Sequence, residues 1–320
     1  MTTHKERFIA ALKRQPITGR VPTFELVFFL TMEAFGKVHP SQRHYAQWSQ
    51  MSANERELHL KDMADCYILT AERYDHSAMF IHPNPHGIDV TLRLLEIIRE
   101  RTGDEYFIMM HGDSTPSIPD GERMTEFSVE MYENPQAIKD RTAKRTENAL
   151  ATALEIKERG GLLDGFALCV DYCFNTNPFF SPELFEEFVV GDLKTLIAGY
   201  REMGYYSIKH TDGNIMPILE QMVACAPDAI HSIDPQAGVD LAEVKRLVGD
   251  RVALCGNVNC GLLQTGTDEE CREDVLRCLR DGMNGWGFIF CTSNCAYTGL
   301  QLSRYEMMID LWREYGNYPV

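Results

Sequence analysis

In KHTDGN, His210 and Asp212 follow an apolar run and precede a glycine, so an imidazole and a carboxylate leave one strand end toward a single point. Both are metal-ligand types. Cys295, in CTSNC near the C-terminus, lies beyond another apolar run, in a stretch where a thiol gains little from packing. Imidazole, carboxylate and thiolate make a mixed N/O/S set that suits zinc and leaves a tetrahedral ion one open position. Two anionic ligands would neutralise the ion while it still polarises an ether oxygen. Each of these residues also has a plainer reading. Asp212 could cap the following helix, and Cys295 could pack in a loop. His82 and His231 read as hydrogen-bonded packing residues. Cys255 and Cys291 fall inside apolar runs, Cys225, Cys271 and Cys278 fall on helices, and Cys260 is open either way.

Positioning such residues requires strands that end at one rim. Short β-rich runs recur at VPTFELVFF (21–29), SAMFIHP, YFIMMHGD, LDGFALCVD, YYSIKH, DAIHSID, RVALCGNV and WGFIFCT, each followed by a helical pattern. Helical blocks are expected near 41–50, at 53–73 behind a Ser52/Glu55 capping box, from Asn134 to Arg159, and behind Ser181-Pro182. Residues 114–133 read as a long irregular loop. Strand–helix alternation calls for a parallel sheet with right-handed crossovers. Eight units without a GxGxxG or GxxxxGKS turn favour a closed (β/α)₈ TIM-type barrel, one domain over residues 1–320, with extra N-terminal helices. The strand ends then bring Glu25, His82, His111, Asp113, Asp171, Asn175, Asn177, His231, Asp234 and Asn257 to the same rim as His210, Asp212 and Cys295.

Composition narrows the partners. Hydrophobic residues at 44% and charged residues at 24% are ordinary globular usage and exclude disorder. A net charge of −16 argues against nucleic acid and against an anionic membrane surface, both of which need a positive face. The N-terminus MTTHKERFIAALKRQP has no apolar signal core, and no run approaches a membrane span. A cytoplasmic protein with ten reduced cysteines is expected.

Several stretches carry a family likeness: KERFIAALKRQPITGRVPTF, NPFFSPELFEEFV, KHTDGNI, DAIHSIDPQAGVDLAEVKRLVGDRVALCGNVN, and GTDEECREDVLRCL leading to GFIFCTSNC. In that order they resemble the uroporphyrinogen decarboxylase superfamily, which implies a (β/α)₈ barrel. True uroporphyrinogen decarboxylases follow the first strand with an arginine-bearing segment that grips the propionates of a tetrapyrrole. Here that stretch is ELVFFLTMEAFGK, without arginine, which argues against a polyanionic porphyrinogen. The chain is more similar to the cobamide-dependent methyltransferase branch, whose coenzyme M-activating members hold zinc by a His-x-Cys pair and a later Cys. His210 matches the family histidine and Cys295 falls on or near the later cysteine, whereas Asp212 replaces the first cysteine.

The resemblance implies methyl transfer between an O- or N-methyl substrate, or a thiol acceptor, and a cobamide carried by a separate corrinoid protein. Asp171, His111 and Glu25 are then the candidates for orienting substrate or supplying a proton. Asn175 and Asn257 are the candidates for contacting cofactor, and Cys260 or Asp234 for completing the metal shell. Assembly as a homodimer is left open. Two alternatives stand beside this reading: a metal-independent decarboxylase or lyase using Asp171 and His210, and a non-catalytic binding relative.

Overall fold

The computed structural model describes residues 2–318. Seven strands pair in chain order, all parallel: β1 (Ala78–Ile81), β2 (Phe107–His111), β3 (Gly165–Cys169), β4 (Tyr206–His210), β5 (Ala229–His231), β6 (Ala253–Val258) and β7 (Phe288–Thr292). They are short apolar runs, nearly all buried on both faces, as expected where helices cover the sheet and side chains fill its interior. The eighth expected strand, 21–29, is not a regular strand. It lies between β7 and β1 through isolated bonds: Phe290 N–H donates to Pro22 O at 2.9 Å and Ser77 N–H donates to Thr23 O at 2.6 Å. Pro22 has no N–H to give, and Thr292 N–H donates to the Glu25 side chain at 3.3 Å, which breaks the ladder there. The segment still closes a TIM-type barrel.

The outer helices follow the sequence signals closely. Ser52 Oγ accepts Glu55 N–H at 3.1 Å at the head of Ala53–Tyr74, and Ser181 Oγ accepts Leu184 N–H at 3.3 Å ahead of Pro182. Thr267 and Glu270 form a reciprocal capping box at the start of Asp268–Gly282. Two expectations fail. Residues 41–50 hold only the 3₁₀ turns Pro40–Gln42 and Trp48–Gln50. Residues 114–133 are not all loop, since Gly121–Glu133 is a helix. That helix buries only Met131, so its apolar periodicity is weak. It is tied to the next helix, Pro135–Glu158, by a bidentate Arg141–Glu130 pair at 2.7 Å. All ten cysteines are unpaired, and among the described residues no helix is long and apolar enough to cross a membrane.

Candidate metal centre

Parallel β/α connections bring the C-terminal ends of β3, β4 and β5 side by side, and the site is built on the loops that leave them. Four consecutive residues after β4 are each tied to a neighbouring loop. Thr211 Oγ1 accepts Tyr172 N–H at 2.9 Å, and Asp212 N–H donates to Asp171 Oδ1 at 3.0 Å. Gly213 N–H donates to Asp234 Oδ2 at 3.3 Å, and Asn214 N–H donates to Phe174 O at 2.9 Å. Gly213 is required for this approach: its φ is +84°, and a Cβ there would lie 2.5 Å from Cys173 O. The next turn is capped by Asn214, whose Oδ1 accepts Met216 N–H at 3.1 Å, so Asp212 is free of capping duty.

His210 Nε2 consequently faces Asp171 Oδ1 and Asp212 Oδ1, each at 3.8 Å. One ligand atom from each of Asp171, His210 and Asp212 lies within 4.8 Å of the others. Asn294, in the loop after β7, donates its amide hydrogen to Asp212 Oδ2, while Asp212 Oδ1 is buried with no hydrogen-bond partner. A buried unpaired carboxylate oxygen is costly, and here it points at two further acceptors. Burial pushes the Asp212 carboxyl up, and the Asp171 carboxylate adds to the effect, to about 7. Burial, with a smaller contribution from Lys209, holds His210 down at about 3, so its ring is neutral. One imidazole nitrogen and two carboxylates converging within 4.8 Å, with Asp212 Oδ1 unpartnered, fit a divalent cation. The N/O/O set leaves a tetrahedral ion an open position.

The expected site residues divide accordingly. His210 and Asp212 come together as expected, and the third member of the cluster is Asp171, read from sequence as a catalytic group. Cys295 stands outside the cluster, half-buried, one residue beyond Asn294, and burial raises its thiol to about 12. Its neighbour Cys260 donates weakly to the Cys295 carbonyl. His111 is exposed at the end of β2, and Asn175 is exposed in the loop after β3. Glu25 is buried against Thr292, its carboxyl pushed up to about 8 by desolvation. Asn257 is fully buried, its amide donating to Ile233 O at 2.7 Å and accepting from Arg277 at 3.1 Å, so its side chain is committed to the fold. Asp234 braces Gly213 and caps the turn after it, with Gln236 N–H on its Oδ1 at 2.9 Å.

Three residues surround the site without having been given a role in it: Asn294 and His231, which the sequence places at strand ends, and Lys209, which it does not single out. Asn294 holds Asp212. His231, level with His210 in the β4–β5 register, touches its ring nitrogen. Lys209 is next to His210 but faces the opposite side of the sheet, as strand alternation requires. It is fully buried and paired with Asp113 at 2.7 Å, with the Leu168 and Val170 carbonyls at 3.0 and 2.9 Å and the Tyr172 ring beneath it. A lone lysine inside an apolar strand was the available signal, since a buried ammonium needs a partner.

A parallel barrel with a histidine–carboxylate cluster at the C-terminal ends of its strands defines an enzyme-like TIM-barrel architecture. The uroporphyrinogen decarboxylase (URO-D) family model matches residues 118–315, so this chain belongs to that family. Among curated proteins, none matches the sequence. Among solved structures, a methyltransferase from Methanosarcina mazei is similar at TM-score 0.73 and 18% identity, covering 98% of this chain and 99% of that one. At this identity the likeness establishes a shared fold over nearly the whole of both chains. A D-psicose 3-epimerase (TM-score 0.43, 8% identity, 90% and 95% covered) and a Xaa-Pro dipeptidase (0.47, 12%, 92% and 70%) are more distant.

Proposed function

We propose that this protein is a zinc-dependent methyltransferase of a corrinoid-dependent system. It would move a methyl group between an O- or N-methyl substrate and a corrinoid protein. The observation that carries the metal reading is the unpartnered Asp212 Oδ1, buried and turned toward His210 Nε2 and Asp171. His210, Asp212 and Asp171 would hold the ion, and Cys295 is the remaining candidate for a further ligand. When bound, zinc supplies Lewis acidity toward the heteroatom that carries or receives the methyl group. The chain's own residues supply the rest. Asn294 fixes the rotation of Asp212, and the loop bonds through Thr211, Gly213 and Asn214 hold the carboxylates apart from solvent-driven rearrangement. Asp171, about half exposed at 49%, is the carboxylate open to substrate.

The M. mazei neighbour's activity supports methyl transfer, and the fold similarity extends over its whole length. Lys209, beside His210 in β4, is turned to the other side of the sheet and paired with Asp113 at 2.7 Å, so it offers no positive charge to an anionic substrate. The mouth therefore favours an uncharged or cationic methyl donor over one with a carboxylate or phosphate. Unpaired cysteines throughout suit the cytoplasm. The test is zinc content of the purified protein together with methyl transfer to a corrinoid protein, followed by its spectral change. Stoichiometric zinc, with both zinc and transfer lost in His210→Ala, is expected. No metal, with turnover of a carboxylate substrate instead, would favour metal-independent decarboxylation. Uroporphyrinogen should give no coproporphyrinogen, because the segment after the first barrel position has no arginine.

A further inference from the structure

His231 is completely buried at the end of β5, packed under the Phe24 ring of the closing segment and paired in register with His210 on one side and Cys255 on the other. Its two nitrogens meet different partners. Nε2 lies 3.2 Å from the Thr292 carbonyl of β7, and Nδ1 lies 2.7 Å from His210 Nδ1. A carbonyl cannot donate, so Nε2 of His231 carries hydrogen. A fully buried ring with no anion against it is neutral, which leaves Nδ1 bare. His210 Nδ1 must then be the donor in the 2.7 Å contact, and the neutral His210 ring keeps its lone pair on Nε2. The opposite form would set two bare nitrogens against each other at 2.7 Å, and would spend the Nε2 hydrogen on carboxylates 3.8 Å away, too far for a hydrogen bond.

We propose that His231 is a positioning residue for the metal site: anchored to β7 through Thr292, it commits His210 to the Nδ1–H form and aims a bare Nε2 at Asp171 and Asp212. Metal-binding histidines commonly donate their other N–H to a carboxylate or a carbonyl. Here the acceptor is a second, neutral imidazole. That choice fits the charge of the site, because two carboxylates already balance a divalent ion and a third anion behind His210 would leave a net negative buried cluster. The proposal rests on the reading of the cluster as a metal site, but its first consequence concerns the metal-free protein.

The test has two arms. Long-range ¹H–¹⁵N NMR on metal-free, ¹⁵N-histidine-labelled protein, with signals assigned by single histidine variants, reads both tautomers. Nδ1–H for His210 and Nε2–H for His231 are expected, and Nε2–H on His210 would overturn the proposal whether or not the protein binds zinc. The second arm measures zinc affinity by chelator competition for wild type, His231→Leu and His231→Asn. Leucine removes the acceptor and should weaken zinc about 10–100-fold. Asparagine can place its carbonyl oxygen where Nδ1 lies and should keep affinity within a few-fold of wild type. If His231→Leu binds zinc like wild type, or His231→Asn is as weak as His231→Leu, His231 does not act through its acceptor nitrogen. If His231→Leu fails to fold, the wild-type tautomers and His231→Asn still decide. Absence of zinc in wild type with the expected tautomers would instead sink the metal reading alone.

Discussion

Asp212→Asn should stabilise the metal-free protein while abolishing its metal binding. The Asp212 carboxyl rises from its ordinary 3.8 to about 7, first through its own burial and then through Asp171. Unfolded, it ionises at the ordinary value. Between the two values the folded chain therefore holds a proton that the unfolded chain has lost, and stability falls as pH rises through this window and stays low above it. Roughly three decades of protonation equilibrium at about 1.4 kcal/mol each gives a ceiling of about 4 kcal/mol. The side chain is 28% exposed, so solvent screening brings the expectation to about 2–4 kcal/mol. Asparagine carries no charge to desolvate. Its oxygen can keep the bond from Asn294, and its NH₂ would replace the unpartnered Oδ1, facing His210 and Asp171. Denaturant unfolding with chelator present, at pH 8 and at pH 4.5, reads the difference. The variant should be more stable by that amount at pH 8, with little difference at pH 4.5, where the folded wild-type carboxyl is protonated. Excess zinc should reverse the order at pH 8, because about 4 kcal/mol accrues to wild type at a thousandfold excess over Kd and none to the variant. A variant less stable than wild type at pH 8, or equally shifted at both pH values, would refute the strain assigned to Asp212.

Three further outcomes follow from named contacts. His210→Ala should cost zinc affinity at least about 100-fold, and Cys295→Ser no more than about tenfold, because the thiol lies outside the cluster; chelator competition separates the two. Lys209→Met leaves Asp113 buried without its cation and should lower the unfolding free energy by about 3–5 kcal/mol, much of it recovered in Lys209→Met/Asp113→Asn, as measured in urea. Gly213→Ala forces a Cβ to 2.5 Å from Cys173 O at positive φ; a loss of about 1–3 kcal/mol is expected, with weaker zinc binding because the Asp171 and Asp212 loops separate.

The barrel was legible because its strands are buried on both faces and read as unbroken apolar runs. Seven of the eight runs form strands in place. The first run fails as a regular strand for two reasons, Pro22 without a donor, which the sequence already shows, and the Glu25 side chain that takes the Thr292 N–H, which only the structure shows. The helix Gly121–Glu133 stayed hidden because it buries a single residue, so the periodic signal on which helix reading depends is faint. At the site, His210 and Asp212 were readable because two residues at one strand end share a direction. Asp171 lies 41 positions before Asp212, and only the bond to the Asp212 N–H turns it from a rim carboxylate into a member of the cluster. Asn257 looked equally available in sequence, yet its amide is consumed by Ile233 and Arg277.

Lys209 and His210 show why adjacency in sequence says little about shared chemistry. The two are neighbours in β4, yet alternation sends the ammonium outward, where Asp113, two carbonyls and the Tyr172 ring enclose it. The imidazole goes inward, to a bare histidine nitrogen on one side and two carboxylates on the other. Had the register been shifted by one residue, the ammonium rather than the imidazole would face the carboxylates. The strand thus keeps its one positive charge away from the site, while hydrogen bonds of 2.9–3.3 Å tie the loops that carry Asp171 and Asp212 to one another and to Asp234. An acidic site without an internal cation is left two ways to balance its charge, a proton on Asp212, whose carboxyl is pushed up to about 7, or the divalent ion of the proposed function.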